Sequence, residues 1–327
     1  MTQGTTHGSD PVPHWPGRLV SVGDHPVFVR SAPDPETADD AEPALCVHGL
    51  EGSSRNWTDL MDLLRTRLAC DALDLPGFGD SPPRPDGRYS ITALAQTVIA
   101  LIEKRPTPVH LLGNSLGGAV CVKVAATRPD LVRTVTLISP ALPDLRPRLD
   151  LVRFPVVGLP RVGPRLIRQY QAALPPDRRV AAVIATCYSN PGLYPQARFA
   201  AEVAELNRRD SLEYAAAALM GSARALTAEF LRKGRQSPWR DAARVTAPSL
   251  VIYGQQDRLV DPRAAGRAAH VFKDARIVVL PRTGHVAHME HPGAVAAEIA
   301  ILLGIPGGFR QLTQARAGEG NTQPVRS

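Results

Sequence analysis

Short, almost continuously apolar runs alternate along the chain with stretches whose apolar residues recur every three to four positions. The runs are Ala44–Val47, Leu68–Leu73, Val109–Leu112, Thr134–Ser139, Pro248–Tyr253 and Arg276–Leu280. Between them, Trp57, Leu60, Met61 and Leu64 fall on one helical face. Leu94, Val98 and Ile102 do the same in a helix that Ser90 caps and that stops before Pro106. Arg263–Phe272 and Pro292–Leu303 complete the helical stretches at the far end. A strand that is apolar at successive positions is buried on both faces, so this alternation predicts a mostly parallel sheet covered by helices on each side. Ahead of it, Arg18–Val22 and Val27–Ser31 predict a hairpin around Gly23-Asp24, and the acidic stretch Pro33–Pro43 reads as a surface loop.

The alternation breaks once. From Asp144 to Arg240 no convincing strand occurs, while Arg178–Cys187, Gln196–Asn207 and Leu212–Leu231 read as helices between proline breaks. The expected organisation is an α/β core made of residues 18–143 and 241–305, a helical unit inserted at 144–240, and disordered ends at 1–17 and 306–327.

Composition then narrows the class. With 327 residues, 44% of them hydrophobic, the chain can bury a sizeable core. The net charge of +7 comes without a Lys/Arg block and with only 5% aromatics, which speaks against nucleic acid as a partner. The whole excess lies in 144–240, where 15 Arg and 1 Lys face 4 Asp and 4 Glu. It reads as a solvated helical surface, with steering of anionic substrates or lipid headgroups as the alternative. Cys46, Cys70, Cys121 and Cys187 sit in apolar segments without metal-ligand spacing and read as reduced thiols. Residues 1–17 lack the apolar centre of a signal peptide, and no run of about 18 apolar residues occurs. A soluble, cytoplasmic protein without stable membrane insertion is expected, and nothing in the sequence specifies an oligomeric state.

The chemistry is concentrated where apolar strands end. Val109–Leu112 runs into Gly113-Asn114-Ser115-Leu116-Gly117-Gly118 and then directly into the small, apolar stretch Ala119–Ala126. A Gly-x-Ser-x-Gly between strand and helix is the setting of a nucleophile elbow, whose serine sits on a strained turn at the positive end of the helix. A serine hydroxyl is a weak nucleophile and needs a base, which in turn needs an orienting group. Asp257 follows the strand that ends at Tyr253, and His285 follows the strand that ends at Leu280. Both therefore lie at the carboxyl edge of the sheet, where open α/β sheets place their ligands. The order Ser115, Asp257, His285 is the one that accompanies this elbow. Asp261 and Asp144 are the rival acids, each farther from its strand end.

These residues, with His48-Gly49, the run Asp74-Leu75-Pro76-Gly77-Phe78-Gly79-Asp80-Ser81, and Glu290 and Pro292 after His285, resemble the α/β-hydrolase family over about residues 18–305. The resemblance implies an eight-stranded sheet with the second strand antiparallel and a lid formed by 144–240. It also implies an oxyanion hole made by the backbone N–H groups of Leu50 and Leu116, with no metal or organic cofactor. Serine at position 115 argues against haloalkane dehalogenases and epoxide hydrolases, which use aspartate there. The expected activity is hydrolysis of a small-molecule carboxylic ester or related carbonyl substrate. The alternatives are carbon–carbon bond hydrolysis, for which Val286 and the loop Leu50-Glu51-Gly52-Ser53-Ser54 are unusual, a cofactor-free haloperoxidase or perhydrolase, and a non-catalytic binding member of the fold. His48 is expected to hold the oxyanion loop. Glu51 is either a solvated acid or a substrate contact, and His288 and His291 are helix-entry contacts. Tyr214, Leu219, Met220 and Phe230 line the acyl pocket or simply pack the inserted helices.

Overall fold

In a computed structural model, the described residues are 11–33, 41–143, 159, 162–232, 234 and 237–305. Eight strands form one sheet: β1 (Gly17–Val22), β2 (His25–Ser31), β3 (Glu42–Val47), β4 (Leu68–Leu73), β5 (Val109–Asn114), β6 (Val132–Ile138), β7 (Ser249–Gly254) and β8 (Ala275–Leu280). Their spatial order is β1-β2-β4-β3-β5-β6-β7-β8. β2 pairs antiparallel with both β1 and β4, and every pairing from β4 through β8 is parallel.

Neighbouring residues in the central strands point to opposite faces, and both faces are buried. Leu111, Leu137 and Val251 join one core with Leu94 and Val98 of α2 (Ile91–Ile102) and Val120 and Val124 of α3 (Leu116–Thr127). Leu112, Ile138 and Ile252 join a second core with Leu60, Met61 and Leu64 of α1 (Thr58–Leu64) and with helix 292–302. This is why the strand runs are apolar at successive positions rather than alternately. The Ser90 hydroxyl caps α2 by accepting the Ala93 N–H at 3.1 Å.

Among the described residues between Pro143 and Ser249 there is no strand. The chain instead forms α4 (Gly163–Ala173), α5 (Pro176–Cys187), α6 (Gln196–Asp210), α7 (Ala215–Leu231) and α8 (Pro238–Ala242). Sequence periodicity missed α4 and α8. The sheet region closes with α9 (Ala264–Val271), α10 (Ala287–Glu290) and α11 (Pro292–Leu302). Residues 1–10, 144–158 and 306–327, which include the rival acid Asp144, lie outside the described residues. Pro11–Pro16, assigned by sequence to the N-terminal tail, lies against the core: His14 Nδ1 meets Thr58 Oγ1 at 2.8 Å, and Trp15 packs on the second core. Among the described residues no helix is long and apolar enough to cross a membrane.

Many of the arginines in the insertion are spoken for internally. Arg179 pairs with Asp210, Arg198 holds Asp59 through two bonds of 2.6 and 2.7 Å, and Arg208 holds Glu205 and Asp80. Guanidiniums also donate to main-chain carbonyls: Arg208 to Gly79, Arg209 to Glu51, Arg198 to Val12, and Arg258 of the core to Ala185 of α5. The local charge excess thus serves, in part, to fasten the insertion to the core.

The turn from β5 into α3 is tightly packed against the end of β3. A Cβ on Gly117 would run into the Val47 and His48 carbonyl oxygens, which are backbone atoms that cannot swing aside. Overpacking of this kind costs about 1–3 kcal/mol or more. Gly117→Ala should therefore lower the thermal midpoint by several degrees, and an unchanged midpoint by calorimetry would contradict this account of the turn.

Candidate active site

Ser115 occupies the N-cap of α3 with φ 52° and ψ −115°, a conformation that a residue with a side chain adopts at a cost of about 1–3 kcal/mol. Its N–H donates to the Ile138 carbonyl at 3.0 Å, and its carbonyl accepts the Ala119 and Ala141 N–H groups. The backbone is thereby locked from three sides while the side chain remains half-buried.

Asp257 is fully buried, and each of its oxygens is committed. Oδ1 accepts the N–H groups of Leu259 at 2.8 Å and Val260 at 3.0 Å, and Oδ2 meets His285 Nδ1 at 2.8 Å. Burial pushes this carboxyl up, but the His285 charge and hydrogen bond, with the Val260 N–H and the neighbouring Ser139 hydroxyl, outweigh it and hold the group below the usual carboxylate range. An ionised carboxylate accepts the Nδ1–H, which leaves the His285 Nε2 lone pair for a partner. The His285 backbone is fixed as well: its N–H donates to the Cys187 carbonyl at 2.7 Å, and its carbonyl accepts from Asn114 Nδ2 at 3.1 Å. The loops that carry Asp257 and His285 are zipped together by the Gln255 N–H to the Leu280 carbonyl and the Gln256 N–H to the Thr283 carbonyl, both at 2.9 Å.

Asp261, the rival acid, is buried with its carboxylate taken up by Arg263, including two bonds from Nε of 2.8 and 3.0 Å. His48 is buried. It donates from Nδ1 to the Gly49 carbonyl at 2.7 Å and accepts the Leu75 N–H at Nε2 at 2.9 Å, so it ties the loop after β3 to the loop after β4. Burial, reinforced by Arg209 against the opposing Gly49 carbonyl, lowers its pKa to about 4. Leu50 sits half-buried in that loop, and Gly49 approaches the elbow so closely that a Cβ there would stand 3.2 Å from Ser115 Cβ. Leu116 opens α3, where the first N–H groups of a helix have no intrahelical partner. Glu51 is exposed with φ 60°, and its carbonyl accepts from Arg209 at 3.0 Å.

His288 stacks on Trp57 at 4.3 Å, and burial together with the nearby His285 lowers its pKa to about 3. His291 donates from Nε2 to the Arg282 carbonyl at 3.1 Å. Tyr214, Leu219 and Met220 are half-buried, whereas Phe230 borders an open cleft of about 720 Å³ that also includes Trp239, Arg240 and Arg267 but no member of the Ser115, Asp257, His285 set. Burial pushes the Cys70 and Cys187 thiols up to about 12, and those of Cys46 and Cys121 upward too; all four cysteines are free. No group of three His, Cys, Asp or Glu side chains among the described residues is gathered as a metal site.

Sequence reasoning left three contributors without a role. Asn114, inside the elbow motif, bridges the Ile138 and His285 carbonyls. Ser139 stands beside Asp257 with φ 44°. Glu290 gathers donors from two segments far apart in the chain. Asn114 and Glu290 were visible within their motifs, but their partners lie far off in sequence; Ser139 had no local signal.

The structure thus brings a strained serine at a strand-to-helix turn and a buried carboxylate–imidazole pair on neighbouring strand ends to the carboxyl edge of a doubly covered, mostly parallel sheet. The chain belongs to the alpha/beta hydrolase family, whose pattern it matches over residues 44–298. It is 27% identical to the pimeloyl-[acyl-carrier protein] methyl ester esterase of Neisseria meningitidis serogroup C over 257 residues, which is 77% of this chain and 89% of that protein. In fold it is similar to the 2-hydroxy-6-oxo-6-phenylhexa-2,4-dienoate hydrolase of Rhodococcus sp. strain RHA1, with a TM-score of 0.69, 19% identity, and 88% and 99% of the two chains covered. It is likewise similar to the naproxen esterase of Bacillus subtilis, with a TM-score of 0.61, 18% identity, and 88% and 93% covered.

The depressed histidines carry a pH signature. Between about pH 4 and the ordinary histidine value of 6.5, unfolded chains bind protons at His48 and His288 that the folded state refuses. Stability is therefore present above 6.5 and declines on acidification, by roughly 2 kcal/mol per group at pH 5. Urea unfolding at pH 7 and pH 5 should show this loss, and His288→Phe should make the dependence shallower. A pH dependence identical to that of the parent protein would show that His288 is not buried neutral.

Proposed function

We propose that the chain is a serine esterase that cleaves a carboxylic ester of a small or medium acyl substrate through an acyl-enzyme. One observation carries this reading: Asp257 holds His285 through Nδ1 at 2.8 Å, while the elbow presents Ser115 in a strained backbone conformation. His285 Nε2 takes the Ser115 proton as the oxygen attacks the carbonyl carbon, and Asp257 fixes the tautomer and stabilises the imidazolium. The tetrahedral oxygen is received by the Leu50 and Leu116 N–H groups; loss of one such donor typically costs about 3 kcal/mol of transition-state stabilisation. The imidazolium returns its proton to the leaving alcohol, and a water activated by His285 then releases the acid and frees Ser115. The helical insertion acts as the lid over this site and sets the acyl and alcohol preference. The relative from Neisseria, named for its action on a methyl ester, supports ester chemistry over carbon–carbon cleavage.

Wild-type protein should release p-nitrophenol from short acyl esters and take up a fluorophosphonate probe at Ser115 alone. Ser115→Ala should fold normally and lose both; full esterase activity in that variant would overturn the assignment. Asp257→Asn should lower kcat by orders of magnitude, because the imidazole then loses its enforced tautomer. If Asp261→Asn produced that loss instead, the acid would be misassigned.

A further inference from the structure

Glu290 ends the short helix α10 and is buried, yet among the described residues every group that bonds its carboxylate is a neutral donor. Oε2 accepts the Gly284 N–H at 2.7 Å. Oε1 accepts the N–H groups of Ser189 at 3.0 Å and Asn190 at 3.1 Å, and it also meets the Ser189 hydroxyl. The first donor belongs to the turn that carries His285, and the others belong to the chain leaving α5 in the helical insertion. One carboxylate therefore spans two segments that lie far apart in the chain, one in the insertion and one in the core.

The contacts around it reinforce the same join. The Ser189 hydroxyl lies 2.7 Å from the Arg282 carbonyl as well, so its single proton is shared between the base loop and Glu290. Arg282 itself has φ 50°. Gly284 lies so close to the insertion that a Cβ would stand 2.6 Å from the Ser189 nitrogen. The next residue, His285, donates its N–H to the Cys187 carbonyl. Residues 282–285 thus rest on residues 187–190 along their length, and Glu290 satisfies the donors that this seam would otherwise bury unpaired.

We propose that Glu290 is a positioning residue for His285, and that through it the helical insertion sets the register of the base against Asp257 and Ser115. This rests on the reading of His285 as the base. Glutamine at this position would turn an NH2 group toward N–H donors at one of the two oxygens, so the seam would have to part on one side. The imidazole would shift by a fraction of an ångström to an ångström, and a displacement of that size at a reacting group can lower turnover about 100-fold.

The test compares wild type, Glu290→Gln and Ser189→Ala in full-length protein, using p-nitrophenyl acetate kinetics and the downfield proton resonance of the Asp257–His285 hydrogen bond. In Glu290→Gln, kcat should fall about 10- to 100-fold with KM within about threefold of wild type, and the resonance should shift or broaden. Ser189→Ala should change both in the same direction by a smaller factor. A folded Glu290→Gln with wild-type kcat and resonance overturns the proposal. So does a variant whose KM rises while the resonance stays in place, since that would put Glu290 in the substrate pocket. If Glu290→Gln does not fold, Ser189→Ala decides: unchanged kcat and resonance there overturn the proposal. Should the wild type hydrolyse no ester while the resonance still responds to Glu290→Gln, the esterase reading fails and the positioning role stands.

Discussion

The close approach of three backbones at Ser115 is the constraint on which the site depends. The chain leaving β3, the end of β5 and the start of α3 meet where Gly49, Gly113 and Gly117 supply no Cβ. With any side chain at Gly117 the loop after β3 would be pushed off, and Gly49 would no longer lie against Ser115. With any at Gly113, the Cys121 sulfur at 2.6 Å and the Gly117 carbonyl would force the helix away from the strand. The strained conformation of Ser115 is held by the burial of what flanks it, since β5 is buried along its whole length and α3 is buried along most of its surface.

Strain is not confined to that residue. Among the described residues, the non-glycine positions with positive φ are Glu51, Ser115, Ser139 and Arg282. They follow β3, β5, β6 and β8 respectively, so each lies at the carboxyl edge of the sheet. Several buried polar groups lie at the same edge: His48, Asp74, Asn114, Asp257, His285 and Glu290 each bond the main chain of a loop other than their own or sit in a turn that does. Asp74, pushed up by burial, accepts the Ser54 N–H at 2.5 Å and the Asp80 N–H at 2.8 Å and so shapes the loop below the insertion. Apolar packing builds the sheet, and polar groups with unusual backbone angles build its carboxyl edge.

That division explains what the sequence discloses. Strands such as Leu68–Leu73 are legible because their burial on both faces writes a local apolar run, and the Ser90 cap is legible because capping is a contact between near neighbours. The Ser115, Asp257, His285 set is readable because each member follows a legible strand. The geometry around it is not, since Asn114 and His285 are 171 positions apart and Glu290 reaches back 101 to Ser189. Helix α4 escapes although its apolar and polar residues segregate onto two faces: it is short, and apart from Gly163 none of its residues is buried. The Arg excess of the insertion was read as surface, and part of it turns out to be the fastening.

Beyond the ion pairs to Asp59 and Asp80, part of the fastening is written on one partner only. Arg208, Arg209 and Arg198 grip the core at the carbonyl oxygens of Gly79, Glu51 and Val12, atoms that every amino acid supplies. Substitutions in the core loops that keep the backbone path leave these acceptors in place, whereas loss of an insertion arginine has no counterpart to restore it. Sequence drift should then be asymmetric across this seam. Apart from Asp59 and Asp80, the core side chains beneath these arginines are free to diverge, while the arginines above them carry the memory of how the two parts fit.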